Sequence, residues 1–102
     1  MPQQESQKQK KVTVRPVPKE PRKHRVSVLN DDFTTFEFVV EVMVTVFNKT
    51  QNEAWEIAET THYNQKATVG KYSLDIAKSK VTKATALARQ EGFPLKFDIE
   101  PE

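Results

Sequence analysis

The chain has 102 residues, six prolines, two glycines, one tryptophan and no cysteine, and it is 36% hydrophobic against 29% charged. That is the size and composition of one small domain, without a disulfide scaffold, a thiol nucleophile or a Cys-ligated metal. No apolar run approaches the roughly 18 residues of a membrane helix, and residues 1–25 lack the apolar centre of a secretion signal, so a soluble cytoplasmic protein with no membrane partner is expected.

The formal charge of +2 is unevenly divided. Residues 1–25 hold eight basic residues against two acidic ones, a net +6, which leaves −4 for the remainder. Pro2, Pro16, Pro18 and Pro21 fall in the same stretch, where apolar residues are too few to offset the entropy of ordering. Residues 1–22 therefore read as a flexible basic tail, and residues 23–102 as the folded domain.

In the folded part, Val26 and Val28 alternate within His24–Leu29, the pattern of a strand with one buried face. Asn30-Asp31-Asp32 is a turn-forming run. Thr34 with Glu37 fits a capping box and predicts a helix over residues 35–48. That helix has two apolar sides, one with Phe36, Val39, Val40, Met43, Val44 and Phe47, the other with Phe38, Val42 and Val46, so it should be covered on both. Thr50 or Asn52 can cap a second helix through residue 64, with Ala54, Ile57, Ala58 and Thr61 facing inward. Residues 66–72 read as a short, interrupted strand or loop. Ser73 can cap a third helix through Gln90, whose small residues Ala77, Ala84 and Ala88 allow close approach to a neighbour, and Gly92 and Pro94 stop it. Leu95–Ile99 alternates again. The predicted class is α+β, a small antiparallel sheet of about three strands against three helices in the order β-α-α-β-α-β.

The catalytic inventory is thin. His24 and His62 are the only histidines, and two glycines cannot build a phosphate-cradling loop. Asp31, Asp32 and His62 supply at most a weak metal site, so neither a metal nor a cofactor is expected. Taken alone, the Asn-Asp-Asp run is a solvated turn that favours the positive end of the next helix, and His62 is a helix-surface histidine. The basic tail attracts phosphate, but it has no aromatic residue for base stacking and serves an acidic domain, so nucleic acid is not the expected partner.

Together, Val28-Leu29-Asn30-Asp31-Asp32-Phe33-Thr34, Glu37-Phe38-Val39, Ala54, His62-Tyr63, Lys66-Ala67, Ala77, Lys80-Val81 and Pro94-Leu95 resemble the ClpS family, adaptors of the Clp protease that select substrates by their N-terminal residue. The resemblance covers residues 24–99 and implies a non-enzymatic adaptor. It assigns the free α-amino group of a substrate to Asn30, Asp31 and His62, with Asp32 and Thr34 beside the first peptide unit. It assigns the Leu, Phe, Tyr or Trp side chain to an apolar pocket of Phe36, Val39, Ala58, Thr61 and Leu95. It also implies a surface of Tyr63, Asp75 and Lys80 for the N-terminal domain of a Clp unfoldase. Phe36 and Ala58 stand where the family often has methionine, Thr35 where it often has proline, and Lys78 where an acid is common. Gln65 replaces a usual glycine, so Asn64 is expected to take the left-handed capping conformation. The alternative is a translation-associated module resembling the C-terminal domain of the ribosomal stalk protein, which has a related α/β shape but no reason to build an ammonium site.

Overall fold

The computed structural model describes residues 22–102. The tail expected over residues 1–22 lies outside them except for Arg22, whose guanidinium donates to the Glu102 carbonyl at 3.5 Å. The elements are β1 (Lys23–Leu29), α1 (Phe36–Thr45), α2 (Gln51–Asn64), β2 (Lys66–Ser73), α3 (Leu74–Gln90) and β3 (Lys96–Pro101), in the order β-α-α-β-α-β that the sequence predicts. The strands form one antiparallel sheet, β2-β1-β3, with β1 in the centre.

Central position explains the composition of β1. Val26 and Val28 are fully buried in the core, and Ser27, on the opposite face, is 1% exposed. On that outer face Arg25 pairs with Glu100 at 3.2 Å, Lys71 with Glu102 at 2.9 Å and Lys66 with Asp98 at 3.4 Å. Lys66, opposite Leu29, and Asp98, opposite Ser27, belong to the two flanking strands, so their pair crosses β1 diagonally beside the small Ser27 side chain. Each such exposed pair contributes little to stability, but together they keep the outer face polar.

The segment read as an interrupted strand runs as β2, with one bulge. Val26 faces Gly70 while Ser27 faces Thr68, which leaves Val69 as the extra, buried residue. The Tyr72 side chain covers Gly70, where a Cβ atom would stand 2.9 Å from the phenol oxygen, so only glycine fits without a shift.

Four local expectations change. The cap of α1 is Thr35 rather than Thr34: the Thr35 hydroxyl accepts the Phe38 N–H at 3.1 Å, while the Thr34 hydroxyl points back and donates to Asp31. The helix ends at Thr45 rather than near 48, and Asn48 turns left-handed at φ 59°. At the end of α2 it is Gln65 and not Asn64 that turns left-handed, at φ 72°. Ser73 stands at the N-cap of α3, but its side chain makes no capping bond. Thr50 does cap α2, in a reciprocal capping box with Glu53.

Both apolar sides of α1 find cover. Val39, Val42 and Met43 are buried, the Phe36 ring meets Trp55 of α2 edge-on at 4.6 Å, and the Phe38 ring meets Phe93 edge-on at 5.1 Å. Ala77, Ala84 and Ala88 of α3 are fully buried, as the small-residue spacing predicts. Gly92, at φ 79°, ends α3: its N–H donates to Arg89 and the Phe93 N–H to Ala88, the paired bonds of a Schellman stop. Arg89 then donates to the carbonyls of Phe93 and Leu95, at 2.8 and 3.0 Å, and straps the connection into β3.

Lys80 closes the open end of α1. Its ammonium donates to the Val46 carbonyl at 3.0 Å and the Asn48 side-chain oxygen at 3.1 Å, and lies 5.6 Å from the Tyr72 ring centre. A cation there also meets the negative pole of the helix. Lys80→Met keeps the aliphatic stem and removes the ammonium, and should cost about 1 to 2 kcal/mol. The measurement is the urea midpoint at constant slope; Lys83→Met, at an exposed position of α3, should move it by less than about 0.5 kcal/mol. Equal midpoints for the two variants would remove the capping role.

Candidate functional site

A turn, a helix start and a helix end meet at one edge of the sheet. β1 delivers Asn30-Asp31-Asp32 at its C-terminal end, α1 begins with Phe36 and Val39, and α2 ends with Ala58, Thr61 and His62. A cleft of about 340 Å³ opens between them, lined by Asn30, Asp31, Asp32, Thr34, Phe36, Val39, Ala58, Thr61 and His62. These are nine of the ten residues that the sequence puts forward for an amino-group site and its apolar pocket. The tenth, Leu95, is 1% exposed and belongs to the core rather than the lining.

Asp31 organises the turn. One carboxylate oxygen accepts the N–H groups of Phe33 and Thr34, at 2.8 and 2.7 Å, and the other accepts the Thr34 hydroxyl at 2.7 Å. Short side chains of this type close such turns by bonding backbone two and three residues ahead. Burial pushes the Asp31 carboxyl up, but the hydrogen bonds from Thr34 and Phe33, with the charge of Arg89, together hold it below its usual value of 3.8. A carboxylate has about four lone-pair sites, and three are used, so the group still offers charge and one acceptor position to a ligand.

Asn30 is tied to the end of α2. Its N–H donates to the Gln65 carbonyl at 2.9 Å, and its side-chain NH₂ donates to the Gln65 side-chain oxygen at 3.2 Å. His62 stands exposed on the last turn of α2, its ring edge-on to Tyr63 at 5.0 Å. Thr61 is buried, with its hydroxyl donating back to the Ile57 carbonyl at 2.7 Å, so it offers the cleft no free donor.

The cleft is thus divided. One end carries carboxylates, an amide and an imidazole, which suit a cation with several donors; the other carries Phe36, Val39 and Ala58, which suit one apolar side chain. Other clefts of comparable size lie beside it, one of about 430 Å³ sharing Asn30, Asp31 and Asp32 but floored by Pro94 and Lys96. Those clefts also set acids beside apolar residues, but among them only this one adds an imidazole, that of His62. Among the described residues no group of three or more His, Cys, Asp or Glu side chains could hold a metal ion, and no helix is long and apolar enough to cross a membrane.

Of the residues foreseen for a second surface, Tyr63 is 77% exposed and Asp75 is exposed at the start of α3. Lys80 is half-buried, its ammonium held by the end of α1. Arg89 and Gln65 contribute to the site without having been singled out for it. Arg89 carries no local signal, because it acts on carbonyls four and six residues ahead and on a turn far away in sequence.

Replacement of Asp31 by Asn removes the charge from three hydrogen bonds and should cost about 1 kcal/mol at pH 7, the low end for charge-assisted bonds because the group is partly solvated. A folded-state pKa held below the unfolded one gives stability that is present above the usual carboxylate pKa and lost as pH falls through the lower folded value. The gap in unfolding free energy between the native chain and Asp31→Asn should therefore hold from pH 7 to about 5 and narrow below about 3.9. A gap that stays constant down to pH 2.5 would contradict this assignment.

The chain as a whole is similar to known proteins. The family model for ATP-dependent Clp protease adaptor protein ClpS matches residues 19–98. The ATP-dependent Clp protease adapter protein ClpS of Acetivibrio thermocellus is 44% identical over 84 residues, covering 82% of this chain and 85% of that protein. The Deinococcus radiodurans protein of the same name is 43% identical over 84 residues, covering 82% of this chain and 74% of that one. Among solved structures, Agrobacterium tumefaciens ClpS2 bound to L-phenylalaninamide superposes with a TM-score of 0.78 at 38% identity, over 81% of this chain and all of that chain. The chain belongs to the ClpS family of ATP-dependent Clp protease adaptors.

Proposed function

We propose that the cleft captures proteins by their first residue, holding a free α-amino group at its acidic end and a Leu, Phe, Tyr or Trp side chain at its apolar end, for delivery to a Clp unfoldase. The observation that supports this reading most is the division of the cleft, with Asn30, Asp31, Asp32 and His62 on one side and Phe36, Val39 and Ala58 on the other. The relative from Agrobacterium tumefaciens holds L-phenylalaninamide, a molecule with a free amino group, an aromatic side chain and one amide. Those are the chemical parts that the cleft here is divided to receive.

An ammonium has three donors and no acceptor, so it asks for a convergent set of oxygens and a neutral imidazole nitrogen. Asn30 supplies its side-chain oxygen, Asp31 a remaining lone pair with the countercharge, and His62 a ring nitrogen. Asp32 and Thr34 flank the first peptide unit. Burying one large apolar side chain contributes roughly 1.5 to 3 kcal/mol, and each charge-assisted bond roughly as much again. After the cost of association, micromolar affinity follows. Phe36 is braced edge-on by Trp55, so the aromatic wall is stiffer than an unbranched thioether would be.

For delivery, exposed Tyr63 and Asp75, with Leu74 and Ile76 also exposed, form the docking surface for the N-terminal domain of the unfoldase. Lys80 shapes that surface from beneath, since its ammonium is engaged at the end of α1.

Trp55 is the only tryptophan of the chain and touches Phe36, so its fluorescence reports occupancy of the cleft. Peptides beginning with Phe or Leu should bind with micromolar affinity, and their N-acetylated forms, which lose the charge and two donors, should bind more than about tenfold weaker. His62→Ala should weaken the free-amine peptides by about 1 to 3 kcal/mol while the circular dichroism of the fold is unchanged. Equal affinity for free and acetylated peptides would sink the capture reading.

Tyr63→Ala should leave peptide affinity within about twofold while reducing co-migration with an isolated unfoldase N-terminal domain, because hot-spot aromatics dominate such contacts. Undiminished co-migration would remove Tyr63 from the docking surface.

A further inference from the structure

Gln65 occupies a backbone position that ordinarily favours glycine, at φ 72°, and yet carries a long side chain. Both ends of that side chain are engaged. Its NH₂ reaches the His62 carbonyl at 3.4 Å, and its oxygen accepts the Asn30 side-chain NH₂ at 3.2 Å. The order of these bonds fixes an orientation. A backbone carbonyl can only accept, so the end of Gln65 facing His62 has to be the NH₂ end, and the end facing Asn30 has to be the oxygen. Asn30 must then present its own NH₂ to Gln65, which leaves the Asn30 side-chain oxygen as the free atom.

An ammonium needs that oxygen and is repelled by an NH₂ group. With a glycine at position 65 the Asn30 amide would be free to rotate, and half of its orientations would aim a donor at a donor. We infer that Gln65 is a positioning residue for the capture of the α-amino group, holding the Asn30 amide oxygen toward the cleft through a bond relayed from the His62 carbonyl. Gln65 touches no ligand itself. It couples the two groups that do, one on the turn after β1 and the other on the last turn of α2. The backbone bond from the Asn30 N–H to the Gln65 carbonyl, 2.9 Å long, persists whatever the side chain, so the side-chain effect is separable from the fold.

This inference rests on the capture reading, and its test separates the two. The ligand is a decapeptide beginning with Phe, free or N-acetylated, read by Trp55 fluorescence on the full chain. Gln65→Gly should weaken the free peptide roughly three- to tenfold, the range of one modest hydrogen bond, while thermal stability is kept or raised because glycine relaxes the positive φ. A purely structural residue would show the opposite pairing, lower stability with unchanged discrimination between free and acetylated peptide. Gln65→Glu retains an acceptor oxygen for Asn30 and should restore most of the affinity. Gln65→Asn, which tolerates the left-handed backbone but is one methylene short, should behave like glycine.

The deciding measurement is a double-mutant cycle. In an Asn30→Ala background, Gln65→Gly should have no further effect, since there is no amide left to orient. If the two substitutions add fully, or if Gln65→Gly alone binds as tightly as the unsubstituted chain, the positioning role is overturned while the capture reading stands. If the unsubstituted chain does not distinguish free from acetylated peptide, the capture reading falls and takes this inference with it.

Discussion

One backbone hydrogen bond, from the Asn30 N–H to the Gln65 carbonyl, carries the arrangement on which the cleft depends. It extends the β1–β2 pairing by one step past the register of Leu29 with Lys66, and so pins the end of the central strand to the end of α2. For the Gln65 carbonyl to face the strand, the chain must reverse within one residue of the helix, which only a left-handed backbone achieves. The strain of a side chain at positive φ is modest, and two side-chain bonds offset it. Once those ends are joined, Asn30 and His62 face one opening, and the start of α1 supplies the remaining wall.

Charge is handled in the same economical way. Asp31 is not a loose surface group, because it is tied down by the Phe33 and Thr34 N–H groups and the Thr34 hydroxyl. A carboxylate held in this manner keeps its negative charge and its position without a neighbouring cation in the cleft to compete with a ligand. Arg89, whose charge also acts on Asp31, is occupied with the carbonyls of Phe93 and Leu95 on the far side of the turn. Preorganisation of this sort lowers the cost of association, since little side-chain freedom remains to be lost when a ligand arrives.

Much of this was legible from residue order, for identifiable reasons. The alternation of Val26 and Val28 and the alanine spacing of α3 report burial directly, and both faces are buried as the pattern implies. Residues 30–32 declare a turn by composition, and nine of the ten cleft candidates do line one opening. What failed was competition between equivalent partners. Thr34 and Thr35 are both good caps, and Thr35 takes the role while the Thr34 hydroxyl donates to Asp31. Asn64 is the better left-handed residue in isolation, but Gln65 takes that role because its carbonyl must meet Asn30. The strand over residues 66–73 looks broken because a bulge shifts its alternation at Val69. The resemblance puts Lys80 on a docking surface, and its link to Val46 spans 34 residues that no local pattern connects. Leu95, the remaining candidate, is buried in the core and does not reach the opening.

In the proposed function the C-terminal part of α2 has two jobs on adjacent residues. Ala58 and Thr61 face the cleft from within the core, His62 stands at its rim, and Tyr63 points away into solvent with its ring against that of His62. Successive helix positions differ by about 100°, so neighbours on one turn necessarily look in different directions. A helix end is also where side chains are least hindered by a following turn. The proposed capture on one side and docking on the other therefore need no separate structural element for each. The domain can stay small because Gln65, by stopping α2 where it does, fixes both directions at once.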